Sequence, residues 1–217
     1  MKTAIVIGAT GLIGKHLTKM LLENPEYKTV KVFVRRSINI TNPKLEEFIV
    51  NFDEIVNWKD KITGAELYSS MGTTIKKAGS KEAQYKIDVT YQYEFAKAAA
   101  ENGVENYCLV SSSGANQSSK VFYLRIKGEI EERVKTLSFK RIRIFQPSLL
   151  IGEREEKRFG EKFSESLMKI FLPLFPPLKK YRPIKGEIVA RAMINSLNDK
   201  KPDSLKIYRL DEIFKLV

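Results

Sequence analysis

AIVIGATGLIG, residues 4–14, sets a short apolar run against three evenly spaced glycines. Ala4 to Ile7 has the length and character of a buried strand. Leu12, Ile13, Leu17, Leu21 and Leu22 then recur at helical spacing until Pro25 closes the segment. The reading is strand, glycine turn, helix. Gly8, Gly11 and Gly14 allow a tight turn and let a pyrophosphate approach the backbone, where the free amides and the dipole of a helix start favour an anion. A simply packed turn would use the same spacing, but the position between the first strand and the first helix favours a bound nucleotide. A secretory leader is rejected because glycines break the apolar run, Lys15 and His16 follow at once, and no small-residue cleavage site is present.

Outward from this turn the chain alternates. Val30 to Val34 and Glu47 to Val50 are expected strands, separated by the turn-rich stretch Ser37 to Pro43. A short helix is expected from Glu54 to Asp60, then a strand from Glu66 to Met71 ending at Gly72, Thr73 and Thr74. Lys81 to Asn102 is alanine-rich and helical up to Gly103, and Glu105 to Val110 is the fifth strand. The serine-rich loop Ser111 to Ser119 precedes a helix from Lys120 to Leu137, and Arg141 to Phe145 makes a sixth strand. Helices near Glu161 to Phe171 and Gly186 to Leu197, and a strand over Leu205 to Leu210, complete the chain. This order implies an α/β fold: a doubly wound, mainly parallel sheet with helices on both faces, because parallel neighbours need crossovers. The chain is expected to be one domain, residues 1–217, with 148–217 contributing a small substrate lobe.

After the second strand, an acidic residue would suit the adenosine ribose hydroxyls of NAD. The sequence offers Arg35 and Arg36 instead, and a guanidinium fork suits the 2′-phosphate of NADP. Tyr123 and Lys127 share one face of a helix. The same spacing occurs at Tyr27 and Lys31, Tyr93 and Lys97, and Tyr181 and Lys185, so spacing alone selects nothing. On a strand, four residues span about 13 Å, which removes the first pair; Pro183 opposes a helix for the last. Only Tyr123 follows a strand ending in Ser111, Ser112 and Ser113, and ligands of open α/β sheets bind outside the carboxyl ends of strands. A phenol titrates near 10, and a nearby ammonium favours its phenolate, bringing it closer to acid–base service. One of the three serine hydroxyls could orient a carbonyl substrate.

With these residues in view, the sequence resembles an atypical short-chain dehydrogenase/reductase, closest to the Tat-interacting-protein-like branch. The resemblance spans nearly the whole chain and rests on Gly8 to Gly14, Arg35 and Arg36, Met71 to Thr74 with Lys77 to Gly79, Ser111 to Asn116, and Tyr123 to Glu129. It implies NADP as cofactor, Tyr123 as proton donor or acceptor, and Lys127 holding the nicotinamide ribose while favouring the phenolate. It implies Ser112, with Ser111 next, as the serine that polarises the substrate. Thr10, Gly11, Leu12 and Ile13 would contact the pyrophosphate, Gly72 and Thr73 would border the adenosine half, Leu150 would lie by the nicotinamide, and Arg158 near the phosphates. The chain departs from the pattern twice. Gln146, Pro147 and Ser148 stand where the branch has Arg-Pro-Gly, and Asp88 lies in a helix with no clear counterpart of a relay asparagine.

Composition bounds the rest. The 217 residues carry 38 Lys and Arg against 26 Asp and Glu, a net charge of +12 that attracts phosphate or acidic partners without choosing among them. The basic residues are dispersed among acids with no recognised nucleic-acid motif, so nucleic acid is not an expected partner. Cys108 is the single cysteine and His16 the single histidine, which excludes a disulfide scaffold and argues against a metal site. Cys108 reads as a small buried hydrophobe and Trp58 as a core residue. No apolar run approaches the roughly 20 residues of a membrane span, Ile170 to Leu178 included. The expectation is a cytoplasmic monomer or homodimer that exchanges hydride between NADP and a small carbonyl or alcohol. The alternative is an NADPH-binding regulator with little turnover that engages a protein partner.

Overall fold

The computed structural model describes residues 1–152, 180–198 and 203–217. Seven strands form one sheet: β1 (Lys2–Ile7), β2 (Tyr27–Val34), β3 (Leu45–Ile49), β4 (Glu66–Ser69), β5 (Asn106–Val110), β6 (Arg141–Gln146) and, last, β9 (Leu205–Arg209). Their order is β3-β2-β1-β4-β5-β6-β9, and every neighbouring pair is parallel. The chain leaves β1 toward β2 and β3, then returns to place β4 on the other flank of β1. This reversal opens a crevice at the carboxyl ends of β1 and β4, the ligand position of a doubly wound sheet. Two further strands, β7 (Leu150–Ile151) and β8 (Ile184–Lys185), pair in parallel beside it.

Central strands of such a sheet are buried on both faces, so their apolar residues divide by parity. Ala4 and Val6 pack with Leu17 and Leu21 of α1 (Leu12–Glu23) and with Val189 and Met193 of α6 (Gly186–Asn198). Ile5 and Ile7 face the opposite layer, with Phe95 and Ala99 of α4 (Gln92–Glu101) and Ile126 and Ile130 of α5 (Phe122–Lys135). Cys108 is fully buried among the first group, and burial pushes its thiol up, which makes it inert.

Three local readings change. The helix expected over Glu54 to Asp60 is instead two 3₁₀ turns, Phe52–Asn57 and Lys59–Lys61, because Phe52 and Trp58 both turn inward onto Phe95. The alanine-rich helix is interrupted. It runs as α3 (Lys81–Tyr85), a π turn (Lys86–Tyr91) and α4, and a four-residue helix, α2 (Ile75–Ala78), precedes it. β4 ends at Ser69, and the next residue, Ser70, donates its amide to Ile7 carbonyl at 3.0 Å. The expected helix at Glu161 to Phe171 and the proline-rich stretch after it lie outside the described residues.

Gly128 fixes how α5 meets the serine loop. A Cβ there would lie 2.2 Å from Gln117 N and 2.3 Å from Asn116 C, so the helix backbone rests directly on the loop backbone. In an open helix, glycine to alanine stabilises by about 1 kcal/mol. Here Gly128→Ala is expected to reverse that sign and destabilise by about 1–3 kcal/mol, measured by urea denaturation against the unaltered protein.

Candidate functional site

The glycine turn is built by backbone contact. Gly8 has φ +82°, and a Cβ on it would lie 2.5 Å from Met71 N; a Cβ on Gly14 would lie 2.0 Å from Gly8 O. The turn closes through Gly11 N–H to Gly8 O at 2.9 Å. Gly11 is then the N-cap of α1, with no side-chain cap and no acid in the first turn. The leading amides of α1, on Leu12, Ile13 and Gly14, and the positive end of its dipole are left for an anion. The Ile13 side chain itself lies in the core, and Leu12 is partly exposed beside Gly152 and Gly186.

This turn forms one wall of a cleft of about 890 Å³. Gly8, Thr10, Gly11, Arg35, Arg36, Gly72 and Thr73 all line it, with both arginines exposed at the end of β2. Lys77, Asn39 and Tyr91 also line it and were not singled out as site residues. Lys77 comes from α2, capped by Thr74 Oγ1, and a four-residue helix leaves no periodic signal. Tyr91 donates its hydroxyl to Asp53 at 2.8 Å, and Asp53 also pairs with Lys86 at 2.6 Å, which holds its carboxyl below the usual range.

Lys127 and Tyr123 come from α5 and are not among the residues that line this cleft. Lys127 is buried, and its Nζ donates to Asp88 Oδ1 at 2.9 Å; the Nζ stands 5.9 Å from the centre of the Tyr123 ring, which is 39% exposed. Asp88, fully buried in the π turn, accepts the Thr73 amide on its other oxygen at 3.2 Å. Lys127 Nζ lies 3.7 Å from where a Gly72 Cβ would be, so the lysine and the Gly72–Thr73 wall share one corner. Of the competing pairs, Tyr27 and Lys31 diverge: Tyr27 donates to buried Glu66 at 2.6 Å, Lys31 to Thr63 at 2.9 Å.

The three serines separate. Ser111 is buried and donates its hydroxyl to Glu131 Oε1 on α5, so it faces the helix. Ser112 is half-buried, with a 3.5 Å contact to the Ser113 carbonyl as its hydrogen bond. Gln146 donates Nε2 to both oxygens of Glu131, at 2.9 and 3.0 Å. Burial is the largest influence on Glu131 and raises its carboxyl above the ordinary 4.5, against the lowering effect of these hydrogen bonds. Leu150 lies in β7 and packs against the α1 side of the core. Arg158 lies outside the described residues. Among the described residues, no group of His, Cys, Asp or Glu could hold a metal ion, and no helix is long and apolar enough to cross a membrane.

The uncapped α1 start, the Cβ-free turn and the basic rim of Arg35, Arg36 and Lys77 together fit a dinucleotide. A family model described as NAD(P)H-binding matches residues 8–139.

The chain belongs to the NAD(P)H-binding family.

It is 35% identical over 203 residues to "Protein fmp52, mitochondrial" of Aspergillus fumigatus, covering 90% of this chain and 87% of that protein. It is also 35% identical over 206 residues to "Protein FMP52, mitochondrial" of Candida glabrata, covering 90% and 84%. Among solved structures, the Bordetella bronchiseptica enzyme WbmH with NAD+ superposes with a TM-score of 0.71 at 15% identity, covering 96% of this chain and 75% of that one. A short-chain dehydrogenase/reductase superfamily protein of Agrobacterium tumefaciens with bound NAD gives 0.70 at 13% identity, covering 96% and 77%. The chain is thus an NAD(P)H-binding protein with a doubly wound, Rossmann-like α/β fold; the short-chain dehydrogenase/reductase likeness and its Tat-interacting branch remain a resemblance. The cytoplasmic expectation is corrected, because these relatives are named as mitochondrial proteins.

Glu131 has a pH signature. A carboxyl raised on folding contributes stability below 4.5, its ordinary value, and that contribution is lost as pH rises through the raised value. The stability of the protein relative to Glu131→Gln is therefore expected to be greater at pH 4.5 than at pH 8, by denaturant titration at each pH; an equal difference at both would contradict the buried network.

Proposed function

We propose that this chain is an NADP-dependent oxidoreductase acting on a small carbonyl or alcohol, with residues 148–217 contributing to the substrate side of the cleft. The observation that carries the reading is that Lys127 lies against Gly72, which lines the cleft that begins at the glycine turn, and that the Tyr123 ring lies beside the Lys127 ammonium. A bound nicotinamide supplies the hydride chemistry. Tyr123 gives a proton to the carbonyl oxygen on reduction and takes it back from the hydroxyl on oxidation. Lys127 holds the nicotinamide ribose and keeps positive charge beside the phenol ring. Ser112 donates its hydroxyl hydrogen to the carbonyl oxygen, a role favoured over Ser111 because Ser111 is committed to Glu131. Arg35 and Arg36 recognise the 2′-phosphate, whose charge and oxygens suit guanidinium. The likeness to mitochondrial relatives supports a mitochondrial location.

Tyr123→Phe is expected to bind NADPH as the unaltered protein does and to lose turnover by about 100-fold or more, measured by fluorescence titration beside a panel of carbonyl substrates. Full turnover without the phenol would remove it from the mechanism. Nucleotide binding with no turnover on any substrate would favour the regulator.

The cofactor preference has its own test. Arg35→Ala combined with Arg36→Ala is expected to weaken NADPH binding by roughly 10- to 100-fold, the worth of a charged hydrogen bond, and to leave NADH binding nearly unchanged. Equal losses for the two nucleotides would assign the arginines to general electrostatics.

A further inference from the structure

Asp88 meets two donors that come from different segments, α5 and the loop after β4. Oδ1 takes the Lys127 ammonium at 2.9 Å, and Oδ2 takes the Thr73 amide at 3.2 Å. Asp88 is 0% and Lys127 4% exposed. The Thr73 carbonyl is held in turn by Gln84 Nε2 at 3.0 Å, and the Asp88 carbonyl by Gln92 Nε2 at 2.7 Å. Gln92 is anchored to β4 through Ser69 Oγ at 2.6 Å. Asp88 itself sits in a π turn, an irregularity that recurs at functional sites. The nearby acids of α5 are engaged elsewhere: Glu129 with Tyr85 and Arg133, Glu131 with Ser111 and Gln146.

The donor arithmetic explains why a carboxylate stands here. Two donors approach two different oxygens, and a carboxylate offers acceptors on both. An asparagine has one acceptor and one NH₂ group, so either the ammonium or the Thr73 amide would face another donor. Unpartnered burial of either is costly.

We propose that Asp88 is a positioning residue that locks the Lys127 ammonium to the Gly72–Thr73 wall, so that nucleotide affinity depends on the two side chains as one unit. The proposal rests on the nucleotide-binding reading above. It makes Asp88 a replacement with its own logic for the relay asparagine absent from this helix, since it acts by fixing a wall and a cation together.

The test is a double-mutant cycle in the full chain, using Asp88→Asn, Lys127→Met and the two combined, read by NADPH titration. Hydrogen exchange at the Thr73 amide is followed without nucleotide. Asp88→Asn is expected to weaken NADPH binding about tenfold or more and to speed Thr73 exchange. The combined variant is expected to bind about as weakly as Lys127→Met alone. Unchanged affinity and exchange in Asp88→Asn, or losses that multiply in the combined variant, would overturn the proposal. If either single variant does not fold because it strands a buried charge, the Thr73 amide of the unaltered protein decides: slow exchange supports the lock and fast exchange overturns it. Failure of the unaltered protein to bind either nucleotide would sink the proposed function, while the Thr73 exchange would still judge the lock.

Discussion

The backbone of the first turn lies so close to the end of β4 that no side chain fits between them. A Cβ at Gly8 would sit 2.5 Å from Met71 N, and one at Gly14 would sit 2.0 Å from Gly8 O. This contact brings the start of α1 against the switch point of the sheet and leaves its first amides uncapped. Cleft, basic rim and the Gly72–Thr73 wall all take their positions from it. A larger residue at Gly8 would have to adopt an unfavourable positive φ as well as push β4 away.

The second organising element is one face of α5. Three consecutive contacts on that face tie it to three parts of the molecule. Lys127 reaches Asp88 in the π turn, Gly128 rests on the loop at Asn116 and Gln117, and Glu131 gathers Ser111 and Gln146 from the ends of β5 and β6. Tyr123 lies two turns back from Glu131 on the same helix, with the Lys127 ammonium 5.9 Å from its ring centre. Both departures from the pattern that the sequence resembles are absorbed in this framework. Gln146 brings an amide to Glu131 where the related pattern has a cation, so the carboxyl is hydrogen-bonded without being neutralised and burial raises it. Asp88 supplies two acceptors where an asparagine would supply one.

Much of the architecture was legible because the signals were local. The strand, glycine turn and helix of residues 4–23 announced themselves by period and spacing, and so did the alanine-rich helix and the sixth strand. Arg35 and Arg36 were read from their place after the second strand, whereas Gly72 and Thr73 came from the resemblance; all four line the cleft. Lys77, Tyr91 and the partnership of Asp88 were not legible in that way. Each depends on which segment folds over which, and a four-residue helix or a π turn has no periodic trace in the chain. The 3₁₀ turns at 52–61 were read as one helix because inward packing of Phe52 and Trp58 outweighs local spacing.

The sequence by itself determined the alternating α/β order, the glycine turn, the basic end of β2 and the placement of a tyrosine and lysine on one helical face. These are properties of neighbours along the chain, set by backbone sterics and side-chain period. Tertiary structure alone decided that Ser111 turns to Glu131, that Asp88 joins Lys127 to Thr73, and that the arginines and Lys77 close on the same cleft. The hydrogen-bonded pairings join residues up to 39 positions apart, Asp88 and Lys127 the most distant, and burial makes them selective: inside the core each donor must find an acceptor, and the packing of helices on the sheet limits which one it can reach.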